Sequence, residues 1–273
     1  MATRKQKAAL LLSETLDDVK SIKTNGLENR EEQIHNQQHK HSHQPVANNS
    51  LKIKLDHLKT ISALTDNQQK FFDMYKRGDY CIGVLGSAGT GKTLISLYKA
   101  LEEVLDKSNT FKQVVVVRSC VPTRDVGFLP GTIQEKSEIY ELPYKEACAN
   151  LFNRPDAYDR LKEQGYIRFL TTTAIRGISL DDCIIVVDEV QSNTFHELST
   201  IITRVGYRSK IVFVGDWRQN DLITKKNDVS GLPDFLRVLR TMKDYSEIEF
   251  SRDDIVRSSL VRNFIIALED LGF

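Results

Sequence analysis

From position 80 onward, short uninterrupted apolar blocks alternate with longer stretches of helical spacing. Tyr80-Cys81-Ile82-Gly83-Val84-Leu85, Val114-Val115-Val116-Val117 and Cys183-Ile184-Ile185-Val186-Val187 read as strands buried in the middle of a parallel sheet. Further strands are predicted at 166–170, 210–214 and around 248–250. Helices are predicted at 94–105, at 133–164 with a break near Asn153-Arg154-Pro155, and at 194–205, 232–242 and 254–270. Upstream, the alternation of Leu51, Ile53 and Leu55 suggests a short strand, and Thr65 is placed to N-cap the helix that carries Phe71 and Phe72. Strands alternating with helices specify an α/β fold, a mostly parallel sheet with helices on both faces.

Residues 1–50 break this pattern. They contain no aromatic residue, and Gln, Asn, His and charged side chains dominate 27–50. Such a segment buries too little apolar surface to offset its ordering entropy, so the expectation is a flexible N-terminal arm, with a short amphipathic helix within 7–19. Residues 51–273 then form one domain. The arm holds His35, His39, His41 and His43, a set with metal-ligand chemistry, but no cysteine accompanies it and a polar linker is the better reading.

Composition excludes more than it assigns. The formal net charge is +1, so no bulk attraction to nucleic acid or membrane is visible, although a local basic groove remains compatible with it. No apolar run approaches the ~20 residues that span a bilayer, and 8–12 is too short for a signal-peptide core. Cys81, Cys120, Cys148 and Cys183 are widely spaced, which favours buried free thiols in a reducing cytoplasm.

The chemistry concentrates at strand ends. Gly86-Ser87-Ala88-Gly89-Thr90-Gly91-Lys92-Thr93 fits the phosphate-loop pattern in full, between a predicted strand and a predicted helix. Glycines let backbone N–H groups converge on one phosphate, and the helix N-terminus adds a positive dipole end. Lys92 is expected to reach the β- and γ-phosphates of ATP, and the Thr93 hydroxyl to ligate Mg²⁺. The second signal is an apolar strand ending in Asp188-Glu189, with Asp188 expected on the metal opposite Thr93 and Glu189 on the attacking water. Gln68, shortly before the loop, can sense adenine through an amide that both donates and accepts, though alone it reads more readily as a solvated helix residue. A polar residue at the tip that follows 210–214 can contact the γ-phosphate. Arg118, Arg124 and Phe128 lie near the carboxyl end of a strand, where a basic residue and an aromatic can hold a single nucleic-acid strand; a loop packing its own phenylalanine is the preferred reading of these residues alone.

Taken together, Gln68, the phosphate loop, Gly127-Phe128-Leu129-Pro130-Gly131, Arg176-Gly177, Asp188-Glu189-Val190-Gln191, Thr203-Arg204, Gly215-Asp216 with Gln219, Ser230-Gly231-Leu232 and Asp254-Ile255-Val256-Arg257 occur in the order of PhoH-like proteins, which the chain resembles from about residue 51 to 273. It departs from the usual pattern at Ile178, Val190, Ser192 and Ser258. The resemblance implies a single RecA-like P-loop domain akin to the N-terminal lobe of superfamily 1 helicases, in a phosphate-starvation-inducible ATPase without a nuclease domain. It implies catalytic roles for Lys92, Glu189, Gln219, Arg257 and Arg204, and a ring-shaped homo-hexamer. With about 220 residues after the arm and each motif used once, a lone lobe needs a neighbour's arginine at its γ-phosphate; Arg257 and Arg204 are the candidates. Three functions compete. They are an ATP-driven motor on single-stranded RNA or DNA, RNA preferred; a nucleotide-dependent regulatory or assembly ATPase that moves no strand; and a small-molecule kinase. The last is disfavoured by Asp188-Glu189-Val190-Gln191 and by the lack of an Arg-rich lid.

Overall fold

The computed structural model describes residues 52–119, 133–216 and 230–272. The arm, Cys120, Arg124, Phe128, Gln219 and the four clustered histidines lie outside the described residues. The elements run α1 (Asp66–Arg77), β1 (Cys81–Gly86), α2 (Lys92–Leu105), β2 (Gln113–Arg118), α3 (Ile133–Phe152), α4 (Ala157–Glu163), β3 (Ile167–Thr171), β4 (Cys183–Asp188), α5 (Phe195–Ile202), β5 (Lys210–Gly215), α6 (Leu232–Leu239), β6 (Tyr245–Phe250) and α7 (Ser259–Leu271). The six strands form one sheet in the order β3-β2-β4-β5-β1-β6, and every pairing is parallel.

The apolar blocks are continuous because both faces of the sheet are covered. Alternate residues of one strand feed different cores. Val114 and Val116 of β2, Ile184 and Val186 of β4, and Val212 and Val214 of β5 pack with α1 to α4. Val115, Val117, Ile185, Val187, Ile211 and Phe213 pack with α5 and α6. A period-2 backbone between two helical layers therefore needs apolar residues at every position.

Two predicted elements change. The segment with Leu51, Ile53 and Leu55 forms no strand among its described residues; Ile53 is buried, and Leu55–His57 is a single 3₁₀ turn. The last helix begins at Ser259 rather than 254, because Ser251 caps a separate 3₁₀ turn, Arg252–Asp254, before the chain extends through Ile255. Elsewhere local signals hold. Thr65 accepts a hydrogen bond from the Gln68 N–H, and Thr194 and Glu197 close a capping box at α5. Cys81, Cys148 and Cys183 are buried free thiols.

Candidate nucleotide site

The site lies at the carboxyl ends of β1, β4 and β5, where parallel sheets of this kind open a crevice. β1 stops at Gly86, whose φ is +118°, and a side chain there would place Cβ 2.0 Å from the Phe250 carbonyl oxygen. Only glycine permits both the turn and the close approach of β6. The loop then enters α2 through Gly91, which caps with no side chain. The first N–H groups of a 14-residue helix are therefore left for an anion.

Lys92 is buried and folded back on its own loop. Its Nζ donates to the Gly86 carbonyl at 2.8 Å, to the Ser87 carbonyl at 2.6 Å and to Thr90 Oγ1 at 3.3 Å. Burial lowers its pKa, while the nearby Asp216, Glu189 and Asp188 carboxylates pull the other way. The two carbonyls and the hydroxyl that accept from Nζ carry no charge.

Asp188 ends β4 in register with Arg118 at the end of β2. Its carboxylate is buried, with Oδ1 accepting from Thr93 Oγ1 at 2.9 Å and Oδ2 from the Tyr144 hydroxyl at 2.8 Å. Burial and the adjacent Glu189 raise its pKa, against the two hydrogen bonds and Arg118. The Thr93 hydroxyl and Asp188 carboxylate form a pair of hard oxygen donors beside the phosphate loop, which suits Mg²⁺. Among the described residues no cluster of three His, Cys, Asp or Glu side chains stands ready to hold a metal alone. Magnesium in such sites takes one or two protein oxygens and completes its shell from phosphate and water.

Glu189 follows in a left-handed conformation, φ +53°, which costs a non-glycine residue energy and clusters at functional sites. Its side chain lines the same cleft as Ala88, Gly89, Lys92, Asp216 and Arg257. Gln191 holds it there: the amide nitrogen donates to Glu189 Oε2 at 2.5 Å, and the amide oxygen accepts from the Asp216 N–H at 3.1 Å. Gly215 makes room for this brace, since a Cβ there would sit 2.6 Å from Gln191 Oε1.

Two expected residues have surroundings that the sequence does not show. Gln68 is buried, not solvated. Its amide nitrogen donates to the Thr90 carbonyl at 3.0 Å and its oxygen accepts from the Leu64 N–H at 2.9 Å, so it braces the phosphate loop from α1. Arg257, a candidate for a neighbour's site, lines the cleft of its own chain. The Val256 N–H donates to the Gly89 carbonyl at 3.1 Å, which seats the segment beside the loop. Arg204 is at the other end of the sheet, after α5, where its carbonyl accepts from the Leu180 N–H ahead of β4. It cannot reach its own cleft, and its Nε is buried without a hydrogen-bond partner.

Several supporting residues carry no obvious sequence signal. Tyr144 sits mid-helix in α3 with nothing around it to mark a site. Asn67 donates to Asp254 Oδ2 at 2.7 Å, tying α1 to the turn before Arg257. Ser87 donates to Glu269 Oε1 at 2.6 Å, bringing α7 onto the phosphate loop. Asp254 and Gln191 stand inside quoted motifs, and only the fold shows what they hold.

The family model described as PhoH-like protein matches residues 60–269. A PhoH-like protein of Bacillus subtilis is 34% identical over 212 residues, covering 77% of this chain and 65% of that one. A PhoH-like protein of Mycobacterium leprae is 32% identical over 219 residues, 80% of this chain and 61% of the relative. The chain thus spans less than two thirds of the length of these relatives. Among solved structures, a large terminase from a thermophilic bacteriophage, in complex with ADP, aligns over 73% of this chain and 48% of its own, at 14% identity and TM-score 0.41. A Pif1 helicase solved in a study of DNA unwinding at forked DNA aligns over 70% and 44%, at 16% identity and TM-score 0.38. With the phosphate loop, the acidic strand end and the glycine-bearing strand tip joined in one cleft and the family model running through all three, the chain belongs to the PhoH-like family.

Proposed function

We propose that this protein is a Mg²⁺-dependent ATPase that works on single-stranded nucleic acid, RNA in preference to DNA, as a ring of six subunits. The observation that carries the ATPase reading is the meeting of Thr93 and Asp188 at 2.9 Å beside the loop, with Glu189 in the same cleft. Loop N–H groups and the α2 N-terminus bind the phosphates. Lys92 exchanges its carbonyl partners for β- and γ-phosphate oxygens. Thr93 and Asp188 would hold Mg²⁺, which when bound neutralises charge on the phosphates. Glu189, aimed by Gln191, accepts the proton of the attacking water. Arg257 neutralises charge in cis, and Gln219 is the residue assigned from the sequence to sense the γ-phosphate.

The nucleic-acid reading rests on the family resemblance, and the ring reading on that resemblance and on the place of Arg204. Arg204, at the opposite end of the sheet from its own cleft, is the arginine we assign to a neighbour's site, which a closed head-to-tail ring would supply. Turnover with and without single-stranded RNA tests the first point: stimulation is expected, and equal rates favour the regulatory ATPase. Glu189→Gln is expected to bind ATP normally and lose about 10²-fold or more of its turnover. Equal loss of binding and turnover makes Glu189 a structural residue instead.

A further inference from the structure

We propose that Tyr144, steadied by Arg118, is a positioning residue for the Asp188 carboxylate and thereby sets how strongly a divalent cation tightens nucleotide binding. This inference rests on the Mg²⁺-dependent reading above.

A carboxylate at the end of a strand turns easily about its last bond, because that torsion is broad. Asp188 is fixed at both oxygens. Thr93 takes one and Tyr144 takes the other, at 2.9 Å and 2.8 Å. The first contact comes from the loop that wraps phosphate and is the one a metal would replace or bridge. The second comes from α3, outside the loop, so it does not depend on the loop's own conformation. Tyr144 is itself immobile: it is 1% exposed, and its ring packs on Phe169 of β3 at 5.9 Å between centroids.

The direction of the hydrogen bond is also fixed. A tyrosine hydroxyl has one proton to give and lone pairs to receive. Arg118 lies near the Tyr144 hydroxyl and Asp188, and its guanidinium carries no acceptor that could take the hydroxyl proton. The hydroxyl proton is then committed to Asp188. Arg118 and Asp188 are register partners on adjacent strands, so the sheet presents them at one level, and the Tyr144 hydroxyl meets Asp188 there from α3. The guanidinium also places a positive charge near Asp188 and Glu189, two carboxylates side by side. Groups that orient a metal-binding carboxylate in this way typically contribute 10–100-fold to metal affinity or activity.

A purely structural tyrosine would also satisfy a buried oxygen, so the experiment must separate orientation from packing. The readout is the ratio of fluorescent ADP affinity in Mg²⁺ to that in EDTA, measured by titration on the whole chain. Tyr144→Phe keeps the ring and removes the proton. The expected result is an EDTA affinity within about twofold of wild type and a Mg²⁺ enhancement reduced about tenfold or more. Arg118→Gln, which leaves the ring and hydroxyl in place but loosens the committed proton, is expected to reduce the enhancement in the same direction. If Tyr144→Phe does not fold, this second variant decides, and an unchanged ratio in it overturns the proposal. Thr93→Ala separates the two readings. If Thr93→Ala keeps the full enhancement, the Mg²⁺ reading of the site fails. If Thr93→Ala loses it while Tyr144→Phe retains the wild-type ratio, Tyr144 has only a packing role.

Discussion

Two lysines are buried among the described residues, one at each end of the sheet, and they are held in opposite ways. Lys210, at the amino end of β5, donates to both oxygens of Glu103 at 2.9 and 2.8 Å and lies 4.1 Å from the centre of the Tyr75 ring. Its charge is matched by a carboxylate and an aromatic face, and nothing is left to exchange. Lys92, at the carboxyl end of β1, holds two carbonyls and a hydroxyl, with three carboxylates near but none bonded to it in that set. Burial lowers the pKa of both. The difference is that a closed ion pair stabilises one arrangement, whereas a cation on neutral acceptors can trade them for phosphate. A buried charge therefore points to function when its partners are replaceable.

Substitution at the two lysines should break this contrast most visibly. Lys92→Ala is expected to lose about 10³-fold in ATP turnover with little change in melting temperature. Lys210→Ala is expected to keep turnover within about twofold but to lose about 3 kcal/mol of stability, since Glu103 is left without its partner. Steady-state ATPase assays and denaturant titrations on both variants check this, and a stable Lys210→Ala or a fully active Lys92→Ala ends the comparison.

A smaller effect is expected one step from the chemistry. Gln191→Leu removes both arms of the brace between Glu189 and the Asp216 N–H. Turnover should fall about tenfold, part of the ~10²-fold that a misplacement of about 1 Å can cost, with ATP affinity unchanged. A parallel loss of affinity would place Gln191 in binding instead of alignment.

The thiols sharpen the contrast through pH. Burial pushes Cys81 and Cys148 up to about 12 and Cys183 to about 11, from an ordinary value of 9.0. Unfolded thiols release their protons above about 9, while the native ones keep theirs, so the native state binds more protons in that window. Stability should therefore fall as pH rises from about 9 toward 11–12, by up to about 1.4 kcal/mol per pH unit per thiol. The two lysines act with the opposite sign, because their lowered values leave the native state with fewer protons than the unfolded chain. Cys148→Ala should flatten the decline in denaturant midpoint between about pH 8.5 and 10.5; a slope parallel to wild type would show that the thiol does not contribute.

The sequence made legible whatever depends on neighbours in the chain. Apolar blocks placed all the interior strands, since burial on both faces leaves an uninterrupted run. The phosphate loop and Asp188-Glu189 could be read because their spacing is itself the chemistry. What escaped depends on contacts over long separations. The edge strand β6 is only partly buried and begins at Tyr245, so its first half carries no apolar block. Gln68 had an exposed-helix pattern, and only the approach of Thr90 makes it internal. Tyr144 reaches Asp188 across 44 positions, and no local pattern predicts which tyrosine of α3 turns toward the sheet. The role of Arg257 depended on which face its segment presents, which the Val256–Gly89 hydrogen bond decides.

The placement of β1 has a consequence for synthesis. The strand that launches the phosphate loop emerges from the ribosome first, yet its two neighbours in the sheet, β5 and β6, are the last strands made. Phe250, whose carbonyl accepts from the Ser87 N–H, and Glu269, which accepts from the Ser87 hydroxyl 182 positions away, both follow long after the loop. At about 5–20 residues per second, the loop waits roughly ten to thirty seconds for the groups that shape it. A nascent chain therefore carries the whole phosphate-loop sequence before the groups that complete the cleft exist, and the cleft closes only when the domain is nearly complete.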